Sequence, residues 1–326
     1  MHRLPLKKLT IASAMTLMGL SVATFSPTAQ AEPATRVVLN GAPSPVFFND
    51  GDSFRVLGGR LQGSKARLGG FNTLETPGPV HKWGTWTAKE LYINAKQATL
   101  NGRRGKWTCT SDMSTDTYGR TLWICPELAV DQIKKGLAHA MTVTEEPSPA
   151  RYLEAQAEAI REKRGMWAHG VPDFVLTSIH SADEDIQGRG TYNRLVSTKD
   201  GSSLKWRHDD VYKECDVVCD EGVDVRSRTD AAIAVLGTDP GTADIIALGG
   251  KYKDNKHMTL LVNDFLRGRG VGKRVSKAEH AAPIEGVLAR LKSEGTLGRS
   301  LDVAACVVHV VFERRYGGNK ASCLKL

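Results

Sequence analysis

Arg67, Glu75, Arg120 and the run Asp50-Gly51-Asp52 are the side chains whose chemistry could combine. Hydrolysis of a phosphodiester needs a base to activate water and cations to neutralise charge growing on the phosphorane oxygens. Many enzymes add a hard divalent metal on the phosphate. A glutamate can be the base, two arginines can clamp the oxygens in two-pronged fashion, and an aspartate can supply an oxygen ligand. Singly, each residue has a plainer explanation. Asp-Gly is a common hairpin turn, an isolated Arg or Glu usually faces water, and Tyr118-Gly119-Arg120 reads as a turn.

The elements that must position these residues are legible around them. Arg36–Leu39, Val46–Phe48 and Ser53–Leu57 read as short strands, with residues 49–52 as a turn, and Lys65–Phe71 as a further extended run. Thr87 with Glu90 forms a capping box ahead of Leu91, Tyr92 and Ala95 on one helical face. Trp107–Cys109 and Thr121–Cys125 are strands flanking the Tyr118 loop, and Val130, Ile133 and Leu137 mark a short helix. Ser148 as cap and Pro149 at the first position open a third helix along Leu153, Ala157 and Ile160. This order predicts a small antiparallel barrel, α+β overall.

Taken together, the chemical residues fall into stretches with a specific order: Asn49-Asp50-Gly51-Asp52-Ser53, Arg67 through Asn72-Thr73-Leu74-Glu75-Thr76-Pro77, and Asp116-Thr117-Tyr118-Gly119-Arg120. Gly136-Leu137-Ala138 and Glu154-Ala155-Gln156-Ala157, leading to Trp167, follow. Over residues 45–170 the chain resembles the staphylococcal nuclease (thermonuclease) family. The resemblance implies an OB-type five-stranded β-barrel with three helices and calcium-dependent endonucleolytic cleavage of DNA or RNA that leaves 3′-phosphate ends. It implies Glu75 as general base, Arg67 and Arg120 on the phosphate, Asp52, Asn72 and the Thr73 carbonyl on Ca2+, and Tyr118 as a substrate contact. Asn72 stands where the family has a second calcium-binding aspartate, which removes one negative charge from the site. Leu74 replaces a proline, and Thr142 and Thr144 stand where the family has nucleotide-contacting tyrosines. These departures leave open a second reading, a nucleic-acid-binding or interaction module with weakened catalysis.

Residues 1–31 read as a signal peptide: Arg3, Lys7 and Lys8, an apolar run from Leu9 to Phe25, then Ala29-Gln30-Ala31. The expectation is an exported protein, periplasmic or secreted, with no stable membrane insertion. In that compartment the six cysteines read as disulfides. Cys109 and Cys125 are expected to pair across the Tyr118 loop, whereas Cys215, Cys219, Cys306 and Cys323 leave their pairing open.

The nuclease-like domain is drawn over 32–176, with a polar linker at 177–190 and a second α+β domain of unrecognised type over 191–326. In that second region Asp244–Leu248, Met258–Val262 and Leu301–Phe312 read as strands, and Ile284, Val287, Leu288 and Leu291 as one helix face. Arg267-Gly-Arg-Gly-Val-Gly-Lys273-Arg274 could hold phosphates or form a solvated hairpin, and His208-Asp209-Asp210 could hold a metal or form an exposed acidic loop. Composition excludes a mainly disordered chain, since hydrophobic residues make up 41%. The net charge of +8 is compatible with a polyanionic partner without requiring one.

Overall fold

Strand alternation places Phe48, Phe54, Ala66 and Leu68 inside and turns Arg67 to the opposite face. The computed structural model describes residues 35–76, 78–185, 188, 190–220, 223–224, 228–301, 303–311 and 323. The chain divides into two units, Met1–Glu32 and Pro33–Leu326; the first, with the expected signal peptide, lies outside the described residues. The second unit is mixed α+β.

Its first part runs β1 (Thr35–Leu39), β2 (Ala42–Asp50), β3 (Ser53–Val56), β4 (Lys65–Leu68), β5 (Gly70–Thr73) and β6 (Val80–Trp83). Then come α1 (Ala88–Arg104), β7 (Lys106–Cys109), β8 (Thr121–Trp123), α2 (Pro126–Lys134), β9 (Ala138–Met141) and α3 (Ala150–Arg161). The order β7-β1-β2-β3-β4-β8 forms a curled six-stranded sheet. Its two edge strands meet just beyond their ends: Thr110 and Ile124 exchange backbone hydrogen bonds of 2.9 Å, and Cys109 and Cys125 form a disulfide beside them. The capping box on α1 is formed in full, with Thr87 Oγ1 accepting from the Glu90 amide and the Glu90 carboxylate accepting from the Thr87 amide.

Two local expectations differ. Lys65–Phe71 is two strands, β4 and β5, broken at Gly69. At Gly70 φ is +90°, and a Cβ would lie 2.6 Å from the Tyr152 ring, so glycine lets β5 turn away against α3. Pro149, not Ser148, caps α3, and it does so without a side-chain bond; the Ser148 amide instead donates to the Asp200 carbonyl at 2.8 Å.

The chain continues through β10 (Phe174–Ser178), β11 (Thr191–Ser197), β12 (Ser203–His208), β13 (Val217–Cys219), β14 (Val223–Asp224), α4 (Arg228–Thr238) and α5 (Ala243–Ala247). It ends with α6 (Asn255–Leu266), α7 (Ala281–Ser293), β15 (Arg299–Ser300) and β16 (Ala305–Val308). The expected strands at 244–248 and 258–262 are therefore the helices α5 and α6. Short apolar runs do not distinguish the two states, but Met258, Leu261, Val262 and Leu266 are buried at helical spacing. β16 pairs with β6 on one side and β13 on the other, so a strand from each half of the chain shares one sheet. A common core backs that sheet, joining Leu74, Trp83 and Leu91 to Phe174, Leu261 and Leu288. The remaining cysteines pair as Cys215–Cys323 and Cys219–Cys306. Among the described residues no helix is long and apolar enough to cross a membrane.

Candidate functional site

The turn after β2 brings Asp50 and Asp52 against the end of β5. Gly51 makes this approach possible: a Cβ there would lie 2.5 Å from Thr73 Cγ2 and 2.8 Å from Ala98 Cβ. Gln132, buried on α2, reinforces the turn by donating to the carbonyls of Ala98 at 2.8 Å and Gly51 at 3.5 Å.

On this platform the Arg67 guanidinium donates to Asp52 Oδ1 at 2.5 Å and to Asn72 Oδ1. Asp52 Oδ2 accepts the Thr73 amide at 2.8 Å, and Asn72 Nδ2 donates to the Thr73 carbonyl at 2.8 Å. Asp52, Asn72 and Thr73 are buried, so this is a hydrogen-bonded cluster withdrawn from water. Burial alone would lower the pKa of Arg67. The charges of Asp52, Asp50, Glu75 and Asp116 outweigh it and hold the guanidinium above its ordinary value.

Asp50, for which the family resemblance implies no role of its own, adjoins this cluster. Burial and the neighbouring Asp52 charge push its carboxyl up to about 7, against the Ser53 hydroxyl, which donates to Asp50 Oδ1 at 2.6 Å, and the Arg67 charge. His139 was missed. It lies opposite Asn72 in the antiparallel β5–β9 pair, with its Nε2 3.5 Å from Asn72 Nδ2. No local sequence signal marks it; its strand is wholly buried and its neighbour Asn72 is 67 residues away in sequence.

Arg120 is held by Asp116. Its Nε donates to Asp116 Oδ2 at 2.7 Å, while Asp116 Oδ1 accepts the amides of Tyr118 and Arg120 at 2.9 and 3.0 Å. Burial works against the Asp116 charge, but these bonds and the Arg120 charge bring its pKa below the usual carboxylate value. Tyr118 is 70% exposed, with the Arg120 guanidinium 5.6 Å from its ring centre. Thr142 and Thr144 serve the loop itself. Thr142 Oγ1 donates to the Glu146 carbonyl at 2.7 Å, and the Thr144 carbonyl accepts the Ser203 amide at 2.8 Å.

The other candidate features are internally matched. Arg274 makes two 2.6 Å bonds to Asp209 and one to Asp264, while Arg267 and Arg269 reach Asp210 at 2.9 and 2.7 Å. The basic and acidic runs of the second half thus neutralise each other. Arg103 caps the Phe48 carbonyl at 2.9 Å and lies over the Phe47 ring.

As metal donors, the Asp52 and Asn72 side-chain oxygens converge on one guanidinium, and the Thr73 carbonyl adjoins them. All three are hard oxygens of the type calcium takes, although Arg67 stands between the first two. Among the described residues no three His, Cys, Asp or Glu side chains gather as a metal site. No protein-family model matches the chain, and no curated protein matches it.

Proposed function

We propose that the chain is an exported endonuclease hydrolysing phosphodiester bonds of DNA or RNA, on an OB-type barrel that the sheet closes between β7 and β8 with six strands, one more than the five expected. The observation that carries this reading is the Asp52–Arg67–Asn72 cluster, on which the Glu75 charge acts. The Thr110–Ile124 bridge and the Cys109–Cys125 disulfide support closure of the barrel, and three disulfides suit an oxidising compartment.

In this reading Glu75 takes a proton from the attacking water. Arg67 and Arg120 meet the phosphorane oxygens, and Asp116 keeps the Arg120 fork aimed. Asp52, Asn72 and the Thr73 carbonyl would hold Ca2+, which when bound adds positive charge beside the phosphate. Arg67 must leave Asp52 or Asn72 to reach a substrate, so phosphate and the Asp52 carboxylate compete for one guanidinium.

That competition favours a second reading, a nucleic-acid-binding module with slow or no cleavage. Digestion of plasmid DNA and of RNA by the mature protein, with calcium and with EDTA, separates the two. Calcium-dependent fragments ending in 3′-phosphate support the enzyme; intact nucleic acid under every condition overturns it.

A further inference from the structure

Two clusters of cations in the second half contrast. Arg267, Arg269 and Arg274 are bound to carboxylates, as described above. Lys205 and Arg207 on β12 have no carboxylate partner among the described residues, and Arg194 on β11 donates only to neutral oxygens, of Val143 at 3.1 Å and Ser203 at 2.8 Å. Their placement follows from strand register. Tyr192 pairs with Arg207 and Arg194 with Lys205, so all four side chains share one face of the hairpin, while Leu204, Trp206 and His208 are buried on the other. Lys205 Nζ stands 4.7 Å, and the Arg194 guanidinium 5.9 Å, from the Tyr192 ring centre.

Arg194, Lys205 and Arg207 also line a cavity of about 460 Å3 at the free edge of β12, with helices α4 and α6, the 143–145 loop, and Leu204 and Trp206 of the other face; Tyr192 stands outside it. Asn263 lines it, is 5% exposed, and leaves its Oδ1 without a hydrogen bond among the described residues, although its Nδ2 donates to the Arg207 carbonyl at 2.8 Å. Glu145 and Asp230 also line the cavity, so its charged lining carries three cations and two carboxylates. The route to the candidate site is short. β9 leads from His139, opposite Asn72, to the loop at Val143, at most about 13 Å of chain at about 3.3 Å per residue.

We infer that the outer face of the β11–β12 hairpin, with the cavity beside it, binds a single nucleic-acid strand. Arg194, Lys205 and Arg207 hold phosphates and Tyr192 lies under a base. Cations interleaved with an aromatic ring suit that ligand, because the backbone supplies charge and every base has a stacking face. The buried Asn263 acceptor suits a base or sugar donor in the cavity.

The ligand's identity rests on the nuclease reading; the measurement does not. Fluorescence anisotropy of labelled oligo(dT) is recorded with the Glu75→Gln protein in EDTA, where no cutting is expected. Adding Lys205→Gln and Arg207→Gln should weaken binding roughly tenfold or more and flatten the slope of log affinity against log salt by about 1.4, two phosphate contacts' worth. Tyr192→Ala should weaken oligo(dT) binding several-fold and leave inorganic polyphosphate binding unchanged. An unchanged affinity in the double variant, with its thermal midpoint preserved, overturns the inference. Equal loss of oligo(dT) and polyphosphate binding in Tyr192→Ala overturns the stacking assignment. Binding that depends on Lys205 and Arg207 in a parent protein that cuts nothing supports this surface while the nuclease reading fails.

Discussion

Arg67 and Asp52 are bound to each other through the oxygen that a metal would need: the guanidinium reaches Asp52 Oδ1 at 2.5 Å, while Oδ2 is taken by the Thr73 amide. The residues proposed as base, clamp and metal ligands are therefore not independent parts, and substitutions among them should show strong coupling.

Glu75→Gln should lower turnover roughly 100-fold or more while leaving the fold intact, as expected for loss of a general base. Arg67→Lys should cost activity as well, because an ammonium cannot span Asp52 and Asn72 or grip a phosphate with two prongs. Initial rates on plasmid DNA, with circular dichroism as the folding control, decide both. Wild-type rates from Glu75→Gln would move the base to another residue.

Asn72→Asp should have opposite effects with and without calcium. The Asn72 amide now donates to the Thr73 carbonyl, and a carboxylate cannot. Stability in EDTA should fall by about 1–3 kcal/mol, the usual range for a buried acceptor left unpaired. Calcium should more than offset this, since the added charge strengthens the oxygen set, so half-saturating calcium for activity should drop. Urea unfolding with and without calcium measures the first effect and a calcium titration of activity the second. A variant indifferent to calcium in both would remove Asn72 from the metal.

How far this centre was readable from the sequence depends on the residue. Asp52, Arg67, Asn72 and Thr73 are singled out by the resemblance of their motifs to the thermonuclease family, and the structure brings them into one cluster. Asp50 stands in the same run but its burial beside Asp52 comes only with the fold, and His139 is not legible at all, because it meets Asn72 across a strand pair. The capping box of α1 was legible for the opposite reason, since both its partners lie within four residues. Helices α5 and α6 were misread because short apolar runs fit either state when only sequence is considered.

His81 should make the fold acid-sensitive. It is buried, neither ring nitrogen has a hydrogen-bond partner among the described residues, and burial, aided by His139, pushes its pKa from 6.5 down to about 3. The folded state thus binds fewer protons than the unfolded state between those values. This contribution to stability is present above pH 6.5 and is lost as pH falls toward about 3. His81→Leu should flatten that decline and leave stability near neutrality equal or higher, because it removes a buried polar ring of similar size. Urea midpoints across the acid range test this; an unaltered acid slope would assign the sensitivity elsewhere.

Replacing Cys109 and Cys125 together by alanine should cost roughly 3 kcal/mol, the chain-entropy value for a loop of this length. Because the bridge joins the two strands flanking the Arg120 loop, KM should rise more than turnover falls. Steady-state kinetics beside urea unfolding would separate these effects. Loss of stability with unchanged KM would confine the disulfide to holding the strands.

The pairing of β6 with β16 sets an order of events. β6 starts five residues after Glu75, yet its partner strand lies roughly two hundred residues further along the chain. A chain emerging N-terminus first must wait, with β6 lacking this neighbour, until residues 305–308 have followed. Maturation beside the candidate base is therefore deferred until that distant strand is available. An incomplete or stalled chain would carry the motifs of the site without the sheet that seats them.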